Sequence, residues 1–254
     1  MDYISGIESA FKTYIGDNSI ELLRKEITDK PMILIAGDQL TGKSTQAKNL
    51  ALYYKGDFRS VGMLFREAAS SRGISVAEQA RLLLVERGVD VDIDYKTCMM
   101  IAGKNVESAL AVIEGRQPAC MGSYMSSLGK KNIVRLFFSC SIREQALRFL
   151  RREVGEEAYI HGKSNIPEEN YSNLESLKPF IQKLDLPNSK EVIGQFIENQ
   201  NRDENDRDRY SKLYGFDYRN LEGYEIVIDT TGKNPEAVFK EVLNKLEALE
   251  FKVD

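Results

Sequence analysis

Short apolar runs alternate with stretches of helical periodicity along most of this chain. The run at 32–36 contains no polar residue, which is typical of a central parallel strand buried on both faces. Further apolar runs predict four more strands, at 58–62, 118–123, 132–140 and 224–231. Because strands that alternate with helices are typical of an α/β fold, the pattern predicts a parallel five-stranded sheet with helices on both faces.

The intervals between these strands carry apolar residues at helical spacing. They predict helices at 43–54, 63–72, 75–87, 94–114, 142–152 and 235–250. The segment 155–215 has no strand signal, and its second half carries a helical pattern over 189–214. We therefore expect a main domain at 31–254 with an all-helical insertion before its last strand.

Residues 1–30 precede the first predicted strand and form a separate helical extension in this prediction. Apolar residues such as Ile7 and Phe11 recur at helical spacing within 3–15, and a second short helix is predicted at 19–28. Such an extension can pack on its own domain or form an oligomer contact. A homo-oligomer built through the extension is therefore one expectation.

The composition is that of a globular protein, with 254 residues, 42% hydrophobic and 29% charged, and a net charge of -4. A net acidic chain is a poor partner for a long nucleic-acid duplex, which binds basic faces. No stretch approaches the ~20 apolar residues of a membrane span, and the start lacks the basic and apolar regions of a signal peptide. We therefore expect a cytoplasmic protein that binds neither nucleic acid nor membrane.

Cysteine and histidine limit the chemistry that the chain can carry. Cys98, Cys120 and Cys140 are far apart and lack metal-ligand spacing, so we expect free thiols, two of them in apolar, strand-like runs. With His161 as the one histidine, clusters of histidine metal ligands and Ser-His triads are excluded.

The strongest motif is GDQLTGKST, directly after the first strand. Gly37-x-x-x-x-Gly42-Lys43-Ser44 matches the phosphate-binding loop between a strand and a helix. Glycines let backbone N–H groups turn toward an anion, and the following helix points its positive end at the same anion. Lys43 would bridge the outer phosphates of a nucleoside triphosphate, and the Ser44 hydroxyl would ligate Mg²⁺. The predicted triphosphate-binding residues are Gly37, Asp38, Gln39, Leu40, Thr41, Gly42, Lys43, Ser44 and Thr45.

Arginines stand near the predicted strands at places that would face this loop. Arg66 follows the second strand, Arg116 precedes the third, and Arg148, Arg151 and Arg152 lie on the helix after the fourth. Planar guanidinium groups grip phosphates through two parallel hydrogen bonds. Phosphoryl transfer between two anions depends on such positioning and charge stabilisation. The Asn-Lys-x-Asp sequence, which a simple GTPase uses for guanine, is absent from the chain, so a simple GTPase is less favoured.

A second arginine group lies in the helical segment, in the sequence NRDENDRDRY. Arg202, Asp206 and Arg209 stand at i, i+4 and i+7 and share one helical face, whereas Asp203 and Arg207 are expected to point elsewhere. An aspartate between two guanidiniums on one stripe can hold both of them extended. We therefore predict anion binding by this face, and the alternative is a salt-bridged surface helix.

Together these motifs resemble the cytidylate kinase group of nucleoside monophosphate kinases, especially its shorter archaeal-type branch. The resemblance rests on GDQLTGKST, SVGMLFRE (60–67), VIEGR (112–116), REQALRFLRRE (143–153), RDENDRDRYSKLYGFD (202–217) and YEIVIDTTGKNPEAV (224–238). It covers residues 32–250 with a gap, and it implies a three-layer P-loop kinase fold with a helical lid at roughly 153–205. Residues 1–30 have no counterpart, and the 49 residues between Arg152 and Arg202 exceed the compact lid of archaeal-type members.

The resemblance implies a role for each arginine of the acceptor side. Arg66 and Arg116 would grip the phosphate of the acceptor monophosphate. Arg202, Asp206 and Arg209 would complete acceptor binding, with Arg209 also clamping the transition state as a catalytic residue.

On the donor side, Arg148 and Arg152 would belong to the lid and reach the transferring phosphate, as catalytic residues beside Lys43. Thr230, Gly232 and Lys233 would complete the ATP site near the donor adenine. Two acidic positions of the group, Glu114 and Asp94, receive no assigned role.

The predicted reaction is a Mg²⁺-dependent transfer of the ATP γ-phosphate to a nucleoside monophosphate, with CMP or dCMP first. One alternative is the same chemistry on AMP, UMP or a small metabolite. Another is a nucleotide-binding regulatory module without transfer, whose extension and insertion would serve as surfaces for partners.

Overall fold

The fold is built around a parallel sheet, in a computed structural model that describes residues 3–83, 86–173, 175–184, 186 and 189–253. The strands are β1 (Met32–Gly37), β2 (Asp57–Ser60), β3 (Ala111–Glu114), β4 (Ile133–Ser139) and β5 (Ile226–Asp229). All neighbouring strands are parallel, in the order β2-β3-β1-β4-β5. The predicted parallel five-stranded sheet is therefore confirmed, with β1 at its centre.

Helices connect the strands and cover both faces of the sheet. They are α1 (Tyr3–Tyr14), α2 (Ser19–Glu26), α3 (Lys43–Tyr53), α4 (Val61–Ser71), α5 (Val76–Leu82), α6 (Arg87–Ala102), α7 (Pro118–Ser127), α8 (Ile142–Glu153), α9 (Glu156–Asn165), α10 (Lys178–Gln182), α11 (Ser189–Tyr214) and α12 (Pro235–Ala248). None of the helices in the described ranges combines the length and apolar character that crossing a membrane requires.

Alternate residues of β1 supply the two hydrophobic layers. All six residues of the strand are buried. Leu34 packs with Tyr124 of α7 on one face, whereas Ile33 packs with Leu50 of α3 and Val242 of α12 on the other. A strand that is covered on both faces has no side chains facing solvent, which explains the unbroken apolar sequence of β1.

The N-terminal helices pack on the domain that follows them. Ile7 and Phe11 of α1 and Leu23 of α2 are fully buried in the same core cluster as Leu34. The Phe11 ring meets the Tyr124 ring edge to face, with centroids 5.8 Å apart. The apolar face predicted from the spacing in 3–15 is therefore covered by the chain itself, and an oligomer contact through the extension stays a prediction.

Two elements between β1 and β4 differ from the sequence prediction. The helix predicted at 94–114 is wrong in its second half, because α6 ends at Ala102 and residues 111–114 form β3. The strand predicted at 118–123 is also wrong, since these residues begin α7 with Pro118 in its first turn.

The three cysteines are free thiols as expected, but Cys120 lies in α7 and not in a strand-like run. The helix predicted at 75–87 is shorter, and its residues 84 and 85 lie outside the described ranges.

The helical segment before β5 has a hydrophobic cluster of its own. Leu147 of α8, Ala158 of α9, Ile181 of α10 and Phe196 of α11 belong to it. The described residues between 155 and 215 contain no strand, as predicted. Helix α11 has 26 residues, so it extends for about 39 Å. It leaves this cluster and ends in the main core, where Tyr214 is buried.

Candidate active site

The loop from Gly37 to Thr45 joins the end of β1 to the start of α3, as predicted. Gly37 has a φ of 146°, and a side chain at this position would overlap the carbonyl oxygen of Phe138 in β4. Leu40 and Gly42 also have positive φ values, 62° and 85°, which turn the chain sharply before the helix. The loop thus has the strand-to-helix turn that an anion cradle requires.

Inside the loop, the carbonyl oxygen of Asp38 orders two side chains. The buried Thr41 Oγ1 donates to it at 2.9 Å, and Lys43 Nζ donates to it at 3.0 Å. Burial lowers the pKa of Lys43, so the charged ammonium would gain from an anion beside it. The next two residues, Ser44 and Thr45, are exposed in the first turn of α3.

A cavity of about 700 Å³, which we call the α8–α12 cavity, opens beside the loop. The loop residues in its wall include Leu40, Thr41, Gly42 and Thr45. The cavity is also lined by the residues predicted for the donor side, Arg148, Arg152, Thr230, Gly232 and Lys233. They meet because β1, β4 and β5 are neighbours, so the carboxyl ends of these strands lie together.

Arg148 and Thr230 hold the loop against the end of β5. The Arg148 guanidinium donates to the Leu40 carbonyl at 3.1 Å and to the Thr230 carbonyl at 2.7 Å. The buried Thr230 hydroxyl lies 3.0 Å from the carbonyl oxygen of Thr41 and accepts from Arg148 at 3.1 Å. The structure therefore places Arg148 on α8 at the loop, outside the insertion that follows this helix.

A second cavity, of about 630 Å³, is lined by residues of α4, α5, α8 and α11 and is called the α4–α11 cavity here. Its wall includes Phe65, Arg202, Asp206 and Arg209. Arg152 borders this cavity and the α8–α12 cavity, with half of its side chain exposed. One guanidinium thus stands between the two cavities.

Arg116 is held by two carboxylates of α11. Its Nε donates to Asp203 Oδ1 at 2.9 Å, and its Nη1 lies 2.8 Å from Asp206 Oδ2. Burial alone would lower the pKa of Arg116, but Asp206 and Asp203 more than reverse this and raise it. The prediction that Arg116 precedes the third strand is wrong, because Arg116 follows β3. It therefore lies at the carboxyl edge of the sheet, where ligand sites of parallel sheets form.

Asp203 joins Arg116 to the phosphate-binding loop. Its buried carboxylate accepts a hydrogen bond from the backbone N–H of Gln39 at 3.1 Å. The prediction that Asp203 points away from the site is wrong, because Asp203 and Asp206 are one helical turn apart and both reach Arg116. Arg207 does point elsewhere, since its ion pairs lie outside this cluster.

Arg209 is held by Asp206 and Asp90. Its Nη2 lies 2.7 Å from Asp206 Oδ1, and its Nη1 contacts Asp90 Oδ1. Asp206 therefore pairs with Arg209 and Arg116, not with Arg202 as the helical stripe suggests. Burial raises the pKa of Asp206, and the positive charges of Arg116 and Arg202 act against this rise.

Arg202 and Arg66 have no carboxylate partner among the described residues. The Arg202 guanidinium carbon lies 5.3 Å from the centroid of the Phe65 ring. Burial lowers the pKa of Arg202, and the charges of Arg116 and Arg66 lower it further. Arg66 is exposed on α4. Within this group of arginines, Arg202 and Arg66 are thus left without a carboxylate in direct contact among the described residues.

Two buried acids behind these arginines are hydrogen-bonded to protein groups. Asp94 accepts from the Tyr214 hydroxyl at 2.6 Å and from Gln117 Nε2 at 2.8 Å. Burial raises the pKa of Asp94 to about 7. Glu114, at the end of β3, accepts a hydrogen bond from the hydroxyl of Ser60.

Sequence reasoning missed Asp203, Asp90 and Gln117 as residues of this cluster. A signal existed for two of them. Asp203 lies three residues before Asp206, and Asp90 lies four residues before Asp94, so both spacings place a pair of acids on one helical face. Gln117 has no comparable signal, because its partner Asp94 comes from a different element.

The amino-acid sequence is similar to curated cytidylate kinases over most of its length. The cytidylate kinase of Pyrococcus abyssi is 25% identical over 222 residues, which cover 87% of this chain and 97% of the relative. That of Ignicoccus hospitalis is 27% identical over 215 residues, covering 85% and 98%. That of Desulfurococcus amylolyticus is 42% identical over 65 residues, which cover 26% of this chain and 35% of the relative. No family model matches the chain.

A solved structure shares the fold. An uncharacterized protein from Eubacterium ventriosum aligns with a TM-score of 0.51 over 86% of this chain and 99% of its own, at 14% identity. At that identity the likeness supports the architecture alone. The chain thus has a three-layer α/β fold with a glycine-containing loop after β1 of its all-parallel sheet, and its sequence is similar to those of cytidylate kinases over most of its length.

Proposed function

We propose that this protein transfers the γ-phosphate of ATP to a nucleoside monophosphate, with CMP or dCMP as the acceptor. One observation supports the proposal above the others. The phosphate-binding loop lines one cavity, of about 700 Å³, and Arg152 borders both this cavity and a second one of similar size, about 630 Å³. Two substrates that exchange a phosphate need such an arrangement, with positive charge between them. The names of the curated relatives agree with this reaction.

The α8–α12 cavity is the proposed donor site. The turn of the loop after Gly37 and the start of α3 suit the binding of phosphates through backbone N–H groups. Lys43 would leave the Asp38 carbonyl and contact the outer phosphates. Gly232 and Lys233 line the remaining wall, where the donor nucleoside would lie.

The proposed Mg²⁺ would be held by the hydroxyl of Ser44. Ser44 is exposed in the first turn of α3, directly after Lys43. Mg²⁺ in nucleotide sites keeps several waters and takes few protein ligands besides substrate phosphates. When bound, Mg²⁺ neutralises charge on the donor phosphates.

The α4–α11 cavity is the proposed acceptor site. No carboxylate in the described part of the chain pairs with Arg202 or Arg66. Arg116 and Arg209, in contrast, are held in place by their carboxylate partners. Of these four arginines, Arg202 and Arg209 line the cavity, where a monophosphate would receive hydrogen bonds from their guanidiniums. The acceptor is already an anionic nucleophile, so the reaction needs no strong general base.

A coupled assay of ADP release tests the proposal. Purified protein with Mg²⁺ and ATP is incubated with CMP, dCMP, UMP, AMP or GMP as the candidate acceptor. We expect turnover with CMP and dCMP above the ATP-only background. ATP binding without turnover on any acceptor would contradict the proposal and favour a regulatory module.

Lys43→Ala is expected to lower kcat by at least about 100-fold, because it removes a cation that contacts the transferring phosphate. Lys48→Ala is the matched control, since Lys48 is exposed on the same helix and should leave kcat unchanged. Circular dichroism of both variants checks that they are folded. Full activity of Lys43→Ala would rule out the proposed mechanism.

A further inference from the structure

The first helix of the N-terminal extension, α1, lies directly against the last turn of α11. Gly6 of α1 faces the backbone of Tyr214, and a Cβ atom built on Gly6 would lie 2.5 Å from the Tyr214 carbonyl oxygen. Ordinary contacts of a Cβ atom begin at 3.4 Å. The two helices therefore meet at a distance that only glycine allows at this position.

Aromatic contacts hold α1 in this place at both of its ends. The Tyr3 ring meets the Phe216 ring edge to face with centroids 6.0 Å apart, and the Phe216 ring stacks on that of Tyr214 at 5.6 Å. Further along α1, Phe11 is fully buried, and its ring meets the ring of Tyr95 in α6 at 5.3 Å. Because such ring pairs are favourable, α1 cannot move freely away from α11.

Tyr214 makes one of two connections between α11 and α6. Its hydroxyl donates to Asp94 Oδ2 at 2.6 Å. The other connection lies five residues earlier on α11, where Arg209 contacts Asp90. Asp90 and Asp94 are one helical turn apart on α6, so the two connections are neighbours. A displacement of Tyr214 therefore changes how α11 lies against α6 at a point close to Arg209.

Helix α11 contributes to the proposed acceptor site more than to the proposed donor site. Arg202, Asp206 and Arg209 of α11 line the α4–α11 cavity. The residues that line the α8–α12 cavity come from the loop, α3, α8, α9, Glu168 and the chain from Thr230 to Val238. A change in the position of α11 near Tyr214 should therefore alter acceptor binding more than donor binding.

We infer that Gly6 is a positioning residue of the acceptor site, because it lets the N-terminal extension keep the Tyr214 hydroxyl on Asp94 and thereby holds α11 in place beside α6. The inference rests on the proposed function, since the acceptor is the one proposed above. The extension acts on the reaction through α11 and touches neither substrate.

The close contact at Gly6 sets the size of the expected effect. A methyl group at this position needs about 1 Å of additional space, and a misplacement of 1 Å can cost about 100-fold in rate. Part of the displacement falls on α1 itself, so we expect an effect of about 10-fold on the acceptor side.

The experiment measures kcat and the KM values for CMP and ATP in the wild-type protein and in Gly6→Ala. The KM for CMP should rise by about 10-fold, and the KM for ATP should stay within about 2-fold of the wild-type value. If Gly6 only stabilises the fold, Gly6→Ala lowers the folded fraction and with it kcat, but it leaves both KM values unchanged. Gly194→Ala is the matched control, since a Cβ atom at Gly194 of α11 would meet open space.

A double-mutant cycle with Tyr214→Phe tests the path between Gly6 and the site. Tyr214→Phe keeps the ring but removes the hydroxyl that donates to Asp94, so it should itself raise the KM for CMP. In that background, Gly6→Ala should raise the KM by less than about 2-fold more, because the connection through which it acts is already broken. Effects of the two substitutions that simply multiply would overturn the inference.

The outcomes separate a failure of the inference from a failure of the proposed function. An active wild-type protein whose KM for CMP is unchanged in Gly6→Ala overturns the inference and leaves the proposed function standing. Tyr3→Leu covers the case that Gly6→Ala does not fold, because it removes the ring contact with Phe216 without a clash. It should raise the KM for CMP by about 3-fold, and an unchanged value would also overturn the inference. Wild-type protein that turns over no acceptor would refute both the inference and the proposed function.

Discussion

Asp94 offers a test of the buried charge in this site that does not depend on activity. The side chain is 1% exposed on α6, and burial raises its pKa from 3.8 to about 7. The hydrogen bonds from Tyr214 and Gln117 act in the opposite direction, and the charge of Asp206 adds to the rise. Replacing Asp94 with asparagine removes the titrating proton and keeps nearly the same volume. The Tyr214 hydroxyl can turn to accept from the new amide.

The direction in which the free energy of unfolding changes with pH follows from proton binding. Between pH 3.8 and about 7, folded Asp94 holds a proton that the unfolded chain has already released. The contribution of Asp94 to the free energy of unfolding is therefore greatest below pH 3.8, falls across this window and is lost above about pH 7. A pKa difference of one unit corresponds to ~1.4 kcal/mol, so a rise of about three units lowers the stability by at most ~4 kcal/mol.

Urea unfolding followed by circular dichroism at several pH values from 4 to 8 measures this effect. The free energy of unfolding of Asp94→Asn, minus that of the wild type, should rise with pH by up to ~4 kcal/mol and level off above pH 7. A constant difference across the range would show that Asp94 ionises normally in the folded protein.

Two further substitutions test the contacts that hold the loop. Asp203→Ala should lower the free energy of unfolding by about 3 kcal/mol or more in urea titrations, because it leaves the buried Arg116 with one carboxylate in place of two. Asp208→Ala, an exposed position on the same helix, should change it by less than about 0.5 kcal/mol. Thr230→Val should cost about 1–3 kcal/mol and raise the KM for ATP, since Arg148 and the loop lose a buried hydroxyl. Thr230→Ser should keep most of the free energy of unfolding and a KM for ATP close to that of the wild type. An equal loss in the serine variant would show that these effects come from the methyl group and not from the hydroxyl.

The sheet could be predicted from the sequence where a strand is a continuous apolar run. β1 satisfies this condition, and β4 does so apart from Arg135, because helices cover both of their faces. β3 fails it for a physical reason. It has four residues, and its apolar sequence continues the helical spacing of α6, so local pattern alone assigns it to the helix. Its place is fixed by pairing with β1 and β2 on either side, which are contacts between distant parts of the chain.

The loop could be predicted in full and the arginine cluster only in part. The loop is a local motif whose geometry follows from its own glycines and the elements on each side. The pairing of Arg116 with Asp203 spans 87 positions, and that of Arg209 with Asp90 spans 119. A helical stripe shows which residues of α11 share a face, but it does not show which element that face meets. The stripe therefore predicts a pairing of Asp206 with Arg202, whereas the partner of Asp206 from outside the helix is Arg116.

The balance of charge in the cluster follows from how α11 is anchored. Phe196 holds one end of the helix in the cluster of the helical segment, and Tyr214 holds the other in the main core. The stretch between them carries Asp203 and Asp206 past the loop and past Arg116, so two of the carboxylates come from a helix fixed at both ends. Guanidiniums that converge on one place would repel one another without such partners, and the partners cannot withdraw without moving a packed helix. Within this cluster the acids neutralise Arg116 and Arg209 and leave Arg66 and Arg202 without a carboxylate partner among the described residues. We therefore expect Arg66 and Arg202 to respond more strongly to an acceptor phosphate than the two paired arginines.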